Sequence, residues 1–371
     1  MRFVQRGSEP RWVAPVAVLI AVLATVAITA VPIRIAGANP LAAFERYLVQ
    51  PLSSTQGIYE VLLSASPLLF TGIAVAIAFR AGYWNIGAEG QFLMGAVFTT
   101  WLALSLPGLP AYAALPLGLV AGALGGAVWS LLPAWLKRHG RIDEVVTTLL
   151  LNPVALLVVQ GLLNGPWRNS GSGFTDSDRF GSGYDLPEIV PGTRVHWGFA
   201  VALLIIVATW FVFSRTPVGL RLRATGAAPD AAAFSGVPVD RLRFRAALVS
   251  GAIAGLGGAS QVMGVQHQLT QGISNNYGYT GILVATLGGL TALGVVLVAV
   301  LLGDITVGAE SVSLVLQVPT QLGDMFGALL MLTVLSALSW RRYRVQWRPP
   351  RAPSPSPPTP QSSVKDEVEA R

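Results

Sequence analysis

WVAPVAVLIAVLATVAITAVPI, running from Trp12 to Ile33, carries no charged side chain. A helix rising about 1.5 Å per residue needs about 20 apolar residues to cross a hydrocarbon core about 30 Å thick. This stretch is long enough. Arg2, Arg6 and Arg11 precede it and Ala36-Gly37-Ala38 follows, a pattern that a secretory leader also shows. Leader cores extend over about 7–15 residues, so a retained span is the preferred reading.

Working outward, comparable runs lie at Ile58–Phe79, Trp84–Leu104, Ala111–Leu136, Val145–Leu163, Trp197–Phe213 and Ala246–Gly264. The stretch from Tyr279 to Trp340 has room for three more, the first two short and broken at Gly288-Gly289. Pro67, Pro153 and Gly255 within these runs are tolerable, because neighbouring helices can satisfy freed backbone groups. Continuous apolar runs are not the alternating segments of about ten residues that a membrane β-barrel needs. The expected fold is all-α, a transmembrane bundle of about ten spans, with eight also satisfying parity.

Composition agrees. Of 371 residues, 53% are hydrophobic and 12% charged, against about 25% charged in soluble domains. With no cysteine, disulfides and thiolate metal sites are excluded, and His139, His196 and His267 are too scattered for ligand spacing. No metal or other cofactor is expected. The net charge of +7 sits in short clusters beside apolar runs, not in one basic domain, so nucleic acid is not an expected partner. Lys137, Arg138 and Arg141, then Arg215, Arg221, Arg223, Arg241, Arg243 and Arg245, then Arg341, Arg342, Arg344, Arg348 and Arg351 all fall on the side of the N-terminal arginines. The other side holds only Arg34, Arg46, Arg168, Arg179 and Arg194. The positive-inside rule then places both termini in the cytoplasm. The expected divisions are a cytoplasmic N-terminus at 1–11, a membrane domain at 12–345 and a disordered proline-rich cytoplasmic tail at 346–371. The membrane domain includes an external loop at 165–196 and a cytoplasmic loop at 215–245.

Enzyme readings find little support. The two lysines, Lys137 and Lys365, follow no glycine-rich phosphate loop, so ATP binding of the P-loop kind is absent. No nucleophile elbow, zinc motif or kinase signature occurs, and the chain is not expected to be an enzyme. Polar residues inside the spans are few. Asn85, Glu89 and Gln91 flank small glycines in YWNIGAEGQ (83–91), either as part of a gate or as a helix-terminal polar cluster. Gly118, Gly122 and Gly126 form one small-residue ladder and Gly251 with Gly255 another, which permit close helix contact. TGIAVA at 71–76 recurs as TGILVA at 280–285, consistent with a parallel internal repeat. In the cytoplasmic loop, Pro229, Asp230, the following alanines and Gly236 describe a short capped helix of about two turns. Phe234 is offered there to a partner, or the segment is an ordinary amphipathic linker.

Three stretches together resemble the permeases of ribose, branched-chain amino acid and nucleoside ABC importers: NIGAEGQ (85–91), DEVVTTLLLN (143–152) and ATGAAPDAAAFSGV (224–237). The resemblance covers about residues 58 to 345 and is nearest to the simple-sugar/nucleoside branch, with GPW at 165–167 opening the external loop. It implies a permease in the bacterial plasma membrane, partnered by a cytoplasmic ABC ATPase, a second permease (itself or a paralogue) and an extracytoplasmic solute-binding protein, within membrane lipid. By the same resemblance, Gly226, Pro229, Asp230, Ala231, Ala232, Phe234 and Gly236 form the coupling helix that fits the ATPase. Ala228 and Phe234 depart from the asparagine and tyrosine frequent there. The expected path or gate residues are Asn85, Glu89, Gln91, Asn152, Gln261, Asn275 and Asn276. Nucleosides or simple sugars are the expected solutes. The competing readings are a branched-chain amino acid permease and a transporter that works alone.

Overall fold

The computed structural model describes residues 2–5 and 13–346. Thirteen α-helices dominate it: α1 (Val13–Ile35), α2 (Pro40–Leu48), α3 (Thr55–Arg80), α4 (Ala88–Ser105), α5 (Ala111–Trp135), α6 (Glu144–Asn164), α7 (Trp197–Arg215), α8 (Pro217–Ala227), α9 (Pro229–Phe234), α10 (Val239–Gln261), α11 (Tyr277–Leu287), α12 (Ala292–Leu316) and α13 (Gln321–Arg342). A two-stranded ribbon joins β1 (Arg2–Gln5) to β2 (Tyr343–Gln346), antiparallel, with Arg2 opposite Gln346. Seven helices, α1, α3, α5, α6, α7, α10 and α12, are long and apolar enough to cross a membrane. The protein is therefore a polytopic helical membrane bundle.

Many helix starts follow from local chemistry. Asn39, Ser54, Asp143, Thr216 and Thr291 each accept a backbone N–H of the first turn they precede, which satisfies one of the four donors a helix start leaves free. Pro40 and Pro217 occupy first-turn positions where no N–H is needed.

α3 is the axis of the bundle, buried over most of its length and packed by α7, α10, α11 and α12. Beside it α5 and α10 cross through their glycine ladders. A methyl group added to Gly126 would run into the Gly251 carbonyl, and one on Gly122 into Ala259. The ladders bring backbone against backbone, as their spacing predicts. α1 lies along α13, joined by a hydrogen bond of 2.7 Å between the Thr25 and Thr333 hydroxyls.

Several boundaries differ from those expected. The span read from Trp84 begins as helix only at Ala88, leaving Tyr83–Gly87 irregular. The break at Gly288-Gly289 is present, with Gly289 and Leu290 both at positive φ (61° and 56°). However, the helix after it, α12, has 25 residues and is not short. α10 starts at Val239, about two turns before the apolar run does, so that its first turns carry Asp240, Arg241, Arg243 and Arg245. The loop at 165–196 is held against the segment that ends and follows α10. Leu186 N donates to Met263 O (3.0 Å), Phe180 N to His267 O (2.9 Å) and Ser177 N to Leu269 O (3.0 Å). Residues 1, 6–12 and 347–371, which include most of the expected N-terminal segment and proline-rich tail, lie outside the described residues.

The ends of the bundle sort cleanly. At one end Arg138 stacks on Phe244 and Arg80 on Phe213, 5.4 and 5.0 Å from the ring centres. Gly82 lies against Gly226 and Arg243 there. The same end thus gathers Lys137, Arg138 and the basic loop around α8 and α9. At the other end Glu60 pairs with Arg194, Ser311 with Gln50, and the Tyr184 hydroxyl donates to Leu106 O.

Candidate functional site

The polar residues singled out in the sequence form three separate groups. In the first, the irregular segment Tyr83–Gly87 is held by side chains from two other helices. Asn85 and Gln91 exchange amide hydrogen bonds, Asn85 Nδ2 to Gln91 Oε1 at 2.8 Å and Gln91 Nε2 to Asn85 Oδ1 at 3.0 Å. Asn85 Nδ2 also donates to Ser250 Oγ of α10 (2.9 Å), and its Oδ1 accepts Gly87 N (3.0 Å). From α6, Asn152 Oδ1 accepts Gly90 N and Asn152 Nδ2 donates to Ile86 O, both at 2.9 Å. Thr148 Oγ1 accepts Ile86 N at 3.2 Å. Glu144, one turn earlier, is ion-paired with Lys137. α4 is thus preceded by Gly87, which has no side chain to cap it, and draws its cap from another helix. A non-helical segment can exist at this depth only when its backbone groups are satisfied inside the protein.

Glu89 makes the matching connection to α11. Its carboxylate accepts the Ser274 hydroxyl, Gly278 N at 2.8 Å and Tyr279 N. Negative charge at a helix N-terminus meets free N–H groups and the positive end of the helix dipole. The two short inner helices are thereby chained: α6 caps α4, and α4 caps α11. Thr71 closes the same junction by donating to Tyr277 O (3.0 Å). The two copies of the repeated sequence meet in space here, with Gly281 against Thr71 and Gly72 against Val284.

The second group is Asn275 and Asn276, both in left-handed backbone (φ 43° and 61°), which asparagine tolerates better than most residues. They line a cavity of about 270 Å³ among α3, α11, α12 and α13, with Ser64, Tyr277, Thr280, Thr306 and Asp324 supplying the other polar side chains. Gln261 does not join them; it ends α10, buried. Residues missed from sequence are Ser250, Ser274, Thr71 and Thr148, single hydroxyls whose partners lie far along the chain. For Thr148 a usable signal was present, the four-residue step Glu144-Thr148-Asn152 that puts it on one face of α6 with Asn152.

The third group is α9. Pro229 opens it, Ala232 is buried, and Phe234 is 96% exposed. Gly236 has φ +80°, Gly236 N donates to Ala233 O (2.9 Å) and Val237 N to Ala232 O (3.0 Å). That pair of bonds is the glycine-ended stop expected of a short helix. Gly226, Asp230 and Ala231 are exposed around it. Its six residues make a little under two turns.

At the opposite end, His196 caps α7 by accepting Gly198 N at 3.1 Å and is buried. Burial, and then the nearby His267, push it down to about 4. His267 lies 2.7 Å from Asp185. Among the described residues no cluster of three metal-ligating side chains occurs.

Against known proteins, residues 57–335 match the family described as the branched-chain amino acid transport system permease component. The chain is 35% identical over 350 residues to the glucose ABC transporter permease protein TsgB13 of Haloferax volcanii, covering 92% of each. It is 36% identical over 287 residues to the guanosine ABC transporter permease protein NupP of Bacillus subtilis, covering 76% of this chain and 82% of that one. The nucleoside ABC transporter permease protein NupB of Lactococcus lactis is 29% identical over 286 residues, 75% of this chain and 79% of its own. No solved structure matches. With a family match across most of its length and a multi-pass helical bundle to carry it, the chain belongs to the permease component family of ABC transport systems, and it is a transport subunit and not an enzyme.

Proposed function

We propose that this permease forms the path of an importer for nucleosides or simple sugars, driven by a separate ATPase through α9. The observation that carries the reading is the similarity, over three-quarters of the chain or more, to permeases named for glucose and for nucleosides. Those solutes share a neutral ring bearing hydroxyls. The cavity at Asn275 and Asn276 offers amides and hydroxyls at Ser64, Thr280 and Thr306, and no basic side chain lines it. A branched-chain amino acid would find Asp324 for its ammonium but no cation for its carboxylate, so the preference for sugars and nucleosides rests on the relatives. Asn85, Glu89, Gln91 and Asn152 act on the path indirectly, by fixing where α4 and α11 begin, and Gln261 stands where α10 ends.

The proposed topology has ten crossings: the seven long helices together with α4, α11 and α13. Both termini are cytoplasmic, on the strength of the basic residues gathered at one end and the pairing of β1 with β2. The units α3–α4 and α11–α12, each a helix, a glycine-containing break and a helix, are the halves of a parallel repeat. In the bacterial plasma membrane the partners are a cytoplasmic ABC ATPase that receives α9, a second permease, and a solute-binding protein on the side of the external loop. ATP binding would draw the ATPases together and pull α9, so that the cavity opens alternately to each side. Residues 226–236 carry that contact, with Phe234 as the inserted side chain.

The test replaces Phe234 with Asp in the assembled transporter and follows uptake of labelled guanosine and glucose. Loss of ATP-driven uptake with normal membrane insertion is expected. Normal uptake by the variant removes α9 from the coupling role.

A further inference from the structure

A second cavity, of about 560 Å³, lies between α7, α8 and α10. Its wall is apolar, built from side chains such as Ile205, Val212, Leu242 and Ile253, with two exceptions in charge: Arg221 from α8 and Arg245 from α10. Both arginines are exposed, and among the described residues neither has a carboxylate within 4 Å. No acidic residue lines the cavity. Val218 and Val249, on opposite walls, are half-exposed at 49% and 48%. The outward face of α7 continues the apolar surface through Leu204, Val207 and Phe211, all exposed. The cavity therefore opens sideways onto the surface that faces hydrocarbon, and its charge sits at the end where α8 meets the basic loop.

An occupant must satisfy both features at once. It needs an apolar body that can enter from within the membrane and an anionic group at the level of the loop. We infer that this cavity holds one anionic phospholipid of the leaflet on the α8–α9 side, with an acyl chain between α7 and α10 and its phosphate between Arg221 and Arg245. Basic pockets between helices on the cytoplasmic side are a general mode of anionic lipid recognition. Burial of each methylene adds to what the headgroup contributes. The inference rests on the proposed orientation only for the name of the leaflet. The chemistry of the cavity stands without it.

The experiment uses the full chain, purified in mild detergent and incubated with mixed micelles containing phosphatidylglycerol or phosphatidylcholine. Native mass spectrometry counts the lipid retained. The natural chain is expected to retain one phosphatidylglycerol in clear preference to phosphatidylcholine. R221Q/R245Q is expected to lower that preference about thirtyfold, the factor two surface arginines supply. A208W, which fills the cavity and leaves both arginines, is expected to lose the retained lipid. Equal retention of the two lipids, or an unchanged preference in R221Q/R245Q, overturns the assignment. So does a disulfide between two V249C chains, which would make this face an interface between copies. F234D should retain the lipid, so failure of the coupling role and failure of the lipid site are read separately.

Discussion

Glu89 is a carboxylate placed among apolar helices, where an unsatisfied charge would be costly. It is buried at 7% exposure, and its oxygens are used by the Ser274 hydroxyl and by the first N–H groups of α11. Replacement by glutamine keeps the shape but supplies one acceptor where the junction uses two. E89Q should therefore lower thermal stability in detergent by about 1–3 kcal/mol, the penalty for a buried donor left unpaired. A gate residue without this capping role would lose transport and leave the melting curve in place. His196 makes a different prediction. Its neutral ring is favoured in the folded chain, at about 4, against about 6.5 in an unfolded one. The unfolded chain thus binds more protons between those values, and stability falls as pH drops from about 6.5 to 4. H196N keeps an N-cap acceptor for Gly198 N and should flatten that part of the profile, measured as melting temperature against pH.

At the scale of elements, glycine decides which helices touch. α5 and α10 meet backbone to backbone at Gly126 and Gly251, and no side chain can be added to Gly126 without displacing a carbonyl. G126V should separate the two helices and cost more than the roughly 1–3 kcal/mol of ordinary overpacking, seen as loss of monodisperse protein on size-exclusion chromatography. Gly161, on α6, has nothing within 4 Å of an added methyl, so G161V should elute normally. The same scale explains why α4 and α11 can be short. A helix start inside a membrane leaves N–H groups without water, and Asn152 and Glu89 supply what the local sequence does not. α9 is the opposite case, since proline, alanines and a positive-φ glycine define it from within.

For the whole molecule, the sorting of its two ends is the feature most open to direct test. The chain has no cysteine, so single cysteines can be introduced without background. Ser235 on the basic end and Phe174 in the loop between α6 and α7 are both exposed. With a membrane-impermeant maleimide on intact cells, F174C should label, and S235C only after permeabilisation. The reverse pattern would turn the bundle over.

Hydropathy alone established a multi-pass helical bundle, because the cost of charge in hydrocarbon writes each span into local composition. The glycine ladders and the short capped helix at 229–236 were equally local, and the structure has both. What the chain could not announce is whatever depends on residues far apart in sequence. Asn85, Gln91, Asn152 and Glu89 stood out as polar residues in apolar runs. Nothing nearby said that Asn85 would find Ser250, or that Glu89 would cap a helix beginning at Tyr277. The same limit hid the cavity that Arg221 and Arg245 both line. Hydrogen-bond partners and cavity walls are set by which helices become neighbours, and that depends on how thirteen faces pack against one another.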